Sequence, residues 1–307
     1  MDHIIIDGFG LVFRSHFAFS NLMTQNGIYS GSVYGFLVSA RAIKKRFPHC
    51  HVTIAWDNEP VRRKKVFASY KGDRPRIGVY EQINDLKEIF SNLNVSQTEY
   101  IGEEADDVIA SLVKFYDDGQ VFIYSADKDM FQLVKDGRVI VIRPKRGKYE
   151  EKYFDEEAVR ELFKVGSENF VCFQCFRGDK VDSVPGVPRI PSNIIASLSE
   201  KYKSPQSIYE HLDKEKLTEF QRTSLIACKD QVLLNYQLVN LRDDLNLEIM
   251  VGEPNALALV PLLNKYEINS IKAQSYVEIF IDEPSFTTRK APALVVSFPS
   301  LFEENKI

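Results

Sequence analysis

The chain has 307 residues, enough for one large domain or two with a sizeable core, and its 44% hydrophobic and 27% charged residues are those of a soluble globular protein. No apolar run approaches the roughly 20 residues of a membrane span, and "MDHIIIDGFG" has no basic region or cleavage site, so a cytoplasmic protein without membrane association is expected. The net charge of −4 argues against a nucleic-acid partner only on average, because residues 60–76 hold seven basic residues against one acid, and "RAIKKRF" (41–47) and "RPKRGKYEEK" (143–152) are further basic clusters.

In chain order, "HIIID" (3–7) predicts a short strand that ends in an acid. Helical periodicity over 30–47 leads to "HVTIAWD" (51–57), a second such strand. An amphipathic helix over 80–93 is followed by a short strand near 95–101 and by an acid-headed helix, "GEEADDVIASLVKFY" (102–116). "QVFIYSAD" (120–127) is a third strand running into Asp, and "GRVIVIRP" (137–144) a further one. Strands alternating with helices predict an α/β fold with a mostly parallel central sheet flanked by helices, and ligands bind such sheets beyond the carboxyl ends of the strands. Asp7, Asp57 and Asp127 stand at those ends and are expected to converge. From about 155 the pattern turns helical, at 155–165, 167–176, 192–202, 219–228 and 230–241, around a Gly- and Pro-rich loop at 178–191; the last 55 residues carry no clear assignment.

Acids recur at each of these junctions. Glu104, Asp106 and Asp107 head the helix, Asp127 and Asp129 lie in "SADKDMFQL", and Asp179 and Asp182 in "GDKVDSV". With Asp7 and Asp57 they make nine carboxylates, without which the formal charge would be +5. In one cleft each pair about 5 Å apart repels by roughly 3 kcal/mol at an effective dielectric near 20. Several such pairs exceed what a marginally stable fold absorbs, so either some stay protonated or divalent cations neutralise them. Oxygen ligands point to two Mg²⁺ or Mn²⁺ ions rather than zinc. Cys172 and Cys175 form one CxxC, but with no second pair or His pair the four cysteines read as reduced structural thiols.

The ordered set "DG", "SYKGDRP", "EADDV", "SADKDMFQL" and "GDKVDSVPGV" resembles the 5′-nuclease family over about residues 1–240. That family comprises flap endonucleases, the 5′–3′ exonuclease domain of bacterial DNA polymerase I, and free-standing phage 5′-nucleases and RNase H; the chain looks most like the free-standing members. The resemblance implies a PIN-like core over 1–155 with a helical arch at about 60–90. It further implies a helical region over 156–250 that completes the metal site and contacts duplex, with 251–307 an extension of uncertain structure. It implies cleavage of DNA or RNA–DNA hybrid near a 5′ single-strand/duplex junction, leaving 5′-phosphate and 3′-hydroxyl without a side-chain nucleophile, including RNase H-like removal of RNA primers. Asp7, Asp57, Glu104 and Asp106 would hold mainly one ion and Asp129, Asp179 and Asp182 the other, with Asp107 and Asp127 between them. Lys71, Arg74 and Arg14 match basic residues that contact the reacting phosphate. Arg62, Arg63, Lys64 and Lys65 would attract the strand, and Phe67 and Tyr70 either stack on unpaired bases or pack on the arch helix.

The chain departs from the family where PGV-x-GIG becomes "PGVPRIP". Arg189 and Pro191 replace both glycines, and Pro191 lacks an N–H donor, which weakens the case for backbone anchoring of duplex phosphate and for the K⁺ held nearby. Arg189 is expected to substitute by charge pairing. In the tail, Phe298, Leu301 and Phe302 either dock on a replication partner or pack on the chain's own core, and the protein is expected to be a monomer. Two rivals are a structure-specific binding scaffold without catalysis and a Mg²⁺-dependent phosphatase of the haloacid dehalogenase type. The phosphatase needs a second Asp where Phe9 stands, and the scaffold leaves the gathered acids unexplained.

Overall fold

The computed structural model describes residues 1–72, 78–144 and 150–281. Its elements are β1 (His3–Asp7), α1 (Gly8–Ala18), α2 (Gly31–Arg46), β2 (His51–Ala55), α3 (Val61–Val66), α4 (Tyr80–Ser91), β3 (Ser96–Thr98), α5 (Ala105–Phe115), β4 (Val121–Tyr124), β5 (Val139–Arg143) and β6 (Lys152–Phe154). Eight helices follow: α6 (Glu156–Phe163), α7 (Phe170–Arg177), α8 (Ser192–Tyr202), α9 (Pro205–Glu210), α10 (Glu219–Ala227), α11 (Lys229–Val239), and then α12 (Ala256–Lys265) with α13 (Ala273–Ile281). The six strands form one sheet in the order β3-β2-β1-β4-β5-β6, parallel except for the last pair. β1 lies at the centre with all five residues buried, as a near-continuous apolar run covered on both faces requires.

Alternation along β1 divides the core. Ile4 and Ile6 face an apolar layer built by α1, α2, α4, α12 and α13, while Ile5 faces one built by α5 and the helices from α6 to α11. The chain reverses its winding around β1, and this places the carboxyl ends of β1, β2 and β4 side by side at a topological switch point.

Sequence periodicity did not resolve α1, α12 or α13. The last two close the first apolar layer, where the Tyr276 hydroxyl donates to the Leu37 carbonyl at 2.6 Å and Lys265 reaches Asp85 at 2.6 Å and Glu81 at 2.8 Å. Arg74 and the tail residues Phe298, Leu301 and Phe302 lie outside the described residues. Among the described residues no helix is long and apolar enough to cross a membrane.

Candidate metal centre

Asp7 is the last residue of β1 and caps α1, its Oδ1 accepting from the Gly10 N–H at 2.8 Å. A Cβ at Gly10 would collide with this carboxylate, so the second glycine of "DGFG" is what lets the acid tuck against the helix start. The Ser125 hydroxyl, just past β4, donates to Asp7 Oδ2 at 2.7 Å and accepts from the Asp127 N–H at 3.0 Å. Asp127 in turn caps a 3₁₀ turn, Lys128–Leu133, by accepting from the Asp129 N–H at 2.9 Å. Asp57, two residues past β2, accepts from the Ala105 N–H at 2.6 Å, and so the end of β2 is joined to the start of α5 beside Glu104 and Asp106.

The remaining acids come from the helical half. Gly178, at φ +67°, and Gly186 pass so close that neither has room for a side chain. They let the chain turn back on itself, with Asp179 and Val184 exchanging backbone hydrogen bonds of 2.7 and 2.8 Å, and the turn presents Asp179 and Asp182 to the strand ends. Asp129, Asp179 and Asp182 each offer an oxygen within 4.8 Å of the other two. Gln174 on α7 donates to Asp129, and its own Oε1 is buried without a partner.

Tyr70 and Lys71 join the two halves. The Tyr70 hydroxyl stands 3.1 Å from Glu104 and 3.2 Å from Asp182, and Lys71 pairs with Glu104 and lies 3.7 Å from Asp182. The charges record the crowding. Burial, and then the neighbouring carboxylates, push Asp106 and Asp129 well above the usual carboxylate range, and burial with the Glu104 charge pushes Asp57 up to about 7. Burial likewise raises Asp7. Glu104 moves the other way: burial would raise it, but Lys71 and Arg63 outweigh that and hold it low. Lys71 is raised, because Glu104 and its neighbours overcome the cost of burying an ammonium. The donor set is all oxygen and partly buried, which fits a divalent cation.

Eight of the nine carboxylates therefore gather from five separate stretches of chain. Asp107 does not. It is 0% exposed and faces away, paired through both oxygens with Arg63 and bonded by Arg62 at 3.2 Å and the Arg242 N–H at 2.9 Å. At its position on α5 it points into the helical half, so it is an ion-pair anchor and not a ligand between the ions. The basic run divides in the same way. Arg63 is 1% exposed and also holds Glu104 at 2.9 Å, and Arg62 pairs with Glu103 at 3.0 Å. Arg63 is turned inward, away from any strand passing over the surface, while half-buried Arg62 is engaged by Glu103 and Asp107. Lys64 and Lys65 are exposed, Lys64 beside Glu59 at 2.7 Å. Tyr70, 3% exposed, has no free face for a base to stack on, and Phe67 packs half-buried against the core.

Arg14, half-buried on α1, makes no ion pair with the acids among the described residues; its charge bears on Tyr124. Arg189 is exposed at φ +58°, the left-handed region that favours glycine, and Pro191 precedes α8. The sequence reading missed Ser125, Gln174 and Lys128. Lys128, 3.1 Å from Asp179, carried a visible signal as the one cation inside "ADKD". Nothing in the sequence marked Gln174, whose partner lies 45 residues away.

Residues 2–164 match the family model for the 5′-3′ exonuclease N-terminal, resolvase-like domain, and residues 165–259 that for the 5′-3′ exonuclease C-terminal SAM fold. A 5′-3′ exonuclease of Aquifex aeolicus is 34% identical over 277 residues, covering 87% of this chain and 92% of that protein. The chain spans about a third of the bacterial DNA polymerase I relatives it also matches. Among solved structures, T5 5′-exonuclease with bound divalent metal ions (zinc) superposes with a TM-score of 0.64 at 19% identity, over 91% of this chain and 99% of that one. A bacteriophage T5 flap endonuclease in a pseudo-enzyme–product complex with DNA and metal ions gives 0.63 at 19% identity, over 92% and 100%. Both superpositions support the fold. With two family models meeting end to end across the acid-lined edge and its helical partner, the chain belongs to the 5′-3′ exonuclease family.

Proposed function

We propose that the protein hydrolyses phosphodiesters near the junction of a 5′ single strand with duplex, in DNA or RNA–DNA hybrid, using two Mg²⁺ or Mn²⁺ ions. The observation that carries this reading is the meeting of eight carboxylates from five segments around Lys71. At roughly 3 kcal/mol per close pair, such an arrangement is tolerable with bound cations and has no structural use without them. Asp7, Asp57, Glu104 and Asp106 would hold mainly one ion, and Asp129, Asp179 and Asp182 mainly the other, with Asp127 between. Bound ions supply the Lewis-acid charge and the lowered water pKa that phosphodiester hydrolysis needs.

The chain's own cations do the rest. Lys71 stands at the meeting point of both groups of acids, where it can leave Glu104 for a phosphate oxygen and stabilise charge developing there. Arg14 and Arg74 are proposed to steady the same phosphate. Lys64 and Lys65 face outward to draw the single strand, and Arg189 meets the duplex. The family relation and the T5 complex with DNA and metal ions support this substrate class. The working expectation of a monomer is tested by light scattering.

The decisive assay incubates a 5′-labelled flap and a nicked duplex with Mg²⁺ or with EDTA, comparing the native protein with Asp129→Asn. Cleavage that needs Mg²⁺ and is lost in the variant supports the assignment; equal cleavage by the variant refutes it.

A further inference from the structure

The sheet fixes Asp7, Asp57 and Asp127, but the turn bearing Asp179 and Asp182 belongs to no strand; beyond one backbone bond, from the Lys71 N–H to the Asp182 carbonyl at 3.3 Å, its distance from the sheet-borne acids is set by side chains. One short stretch, residues 235–242, touches α7, the foot of that turn, the 3₁₀ turn that bears Asp129 and, through Asp107 and Arg63, the start of α5. Asn235 on α11, fully buried, donates at 2.7 Å to two carbonyls. One is that of Cys175, next to the Gln174 that holds Asp129, and the other is that of Pro185, at the foot of the Asp179–Val184 turn. Gln231 donates to Asn235 Oδ1 at 2.8 Å and fixes the amide's orientation.

Four residues on, Gln132 of the 3₁₀ turn grips the same stretch twice, donating to the Val239 carbonyl at 3.0 Å and accepting from the Leu241 N–H at 3.1 Å. Beyond that, the Arg242 N–H is bound by Asp107, and Arg63 donates to the Leu238 carbonyl at 2.8 Å while holding Glu104. Apart from the Gln231–Asn235 bond within α11, each contact joins groups more than 40 residues apart in sequence, and the amides of Asn235 and Gln132 direct these hydrogen bonds to backbone groups and not to the acids of the cleft.

We infer that residues 235–242 form a positioning brace that sets the separation between the Glu104/Asp106 half and the Asp129/Asp179/Asp182 half of the centre, with Asn235 and Gln132 as its positioning residues. This rests on the two-ion reading above. Loosening either grip lets the helical turn drift, which weakens the second ion's site while leaving the sheet-borne site intact.

The test uses Mn²⁺ alone, with no nucleic acid, on the full chain: calorimetric titration for the two affinities, and electron paramagnetic resonance for magnetic coupling between neighbouring ions. Asn235→Ala and Gln132→Met are compared with Tyr276→Phe, which removes a hydrogen bond far from the brace. Both brace variants are expected to keep the first dissociation constant within about twofold, to weaken the second about tenfold and to lose the coupled signal. Tyr276→Phe is expected to lower the melting temperature with the coupling unchanged. Wild-type coupling and affinities in the folded brace variants would overturn the brace. If Asn235→Ala does not fold, Gln132→Met decides. A native protein that takes up fewer than two ions overturns the two-ion reading, and the brace with it, a result distinct from failure of the brace alone.

Discussion

Replacing Asp57 by Asn probes the electrostatic cost of the acidic edge directly. Asparagine keeps an oxygen for the Ala105 N–H and removes one negative charge. In the folded, metal-free protein Asp57 is raised from its ordinary 3.8 to about 7, by burial first and then by the Glu104 charge. The unfolded chain has the ordinary value, so between those limits the folded state binds a proton that the unfolded state lacks. Stability then falls as pH rises: the contribution is fully present below about pH 4 and gone above about pH 7. Three units at 1.36 kcal/mol each set a ceiling of ~4 kcal/mol, and partial exposure and the charge shared with Glu104 reduce this to ~2 kcal/mol. For a chain of this size that is a shift of roughly 3 °C. In EDTA, Asp57→Asn should therefore melt within about 1 °C of the native protein near pH 4, and roughly 3 °C above it at pH 8. Mg²⁺ should stabilise the native protein most at pH 8, and the variant less. An equal melting difference at both pH values, or a variant less stable at pH 8, would refute the reasoning.

Lys71→Met should lower kcat on a flap substrate by about 10²–10³ while KM changes little, since the ammonium acts on developing charge; single-turnover kinetics measure this. Arg63→Met removes the bidentate partner of buried Asp107, leaving it only Arg62 and the Arg242 N–H, and should cost about 3–5 kcal/mol in urea unfolding, whereas Lys65→Met should leave stability unchanged within ~0.5 kcal/mol and weaken strand binding. Arg189→Gly relieves a left-handed residue and should leave stability unchanged or raised by ~0.5 kcal/mol, while lowering duplex affinity and flattening its salt slope by about one unit. An unchanged slope removes Arg189 from the interface.

The acidic edge was legible because its carboxylates stand where strand ends and helix starts must come together. β-branched runs ending in Asp gave Asp7, Asp57 and Asp127, and helical spacing gave Glu104 and Asp106. The same spacing could not separate Asp106 from Asp107, because adjacent residues on α5 point about 100° apart and only the three-dimensional partner decides which side is the cleft. "RRKK" failed for a similar reason. Read as one basic patch, it is a helix turn with two residues facing the carboxylates of α5 and two facing water. Tyr70 and Phe67 look alike in sequence as candidate stacking groups, and burial against Glu104, Asp182 and the core was visible only once α3 had packed. The α12–α13 pair lacked a signal because its apolar residues answer to α2 and α4, about 165 positions earlier or more.

That pairing has a consequence for synthesis. A ribosome that has delivered residues 1–250 has released every strand of the sheet, yet the apolar flanks of α2 and α4 have no cover until Leu259, Leu262, Tyr266, Tyr276 and Phe280 emerge. During that interval the nascent chain exposes a greasy face that chaperones or other chains can seize, so safe folding of this layer depends on how quickly α12 and α13 leave the exit tunnel.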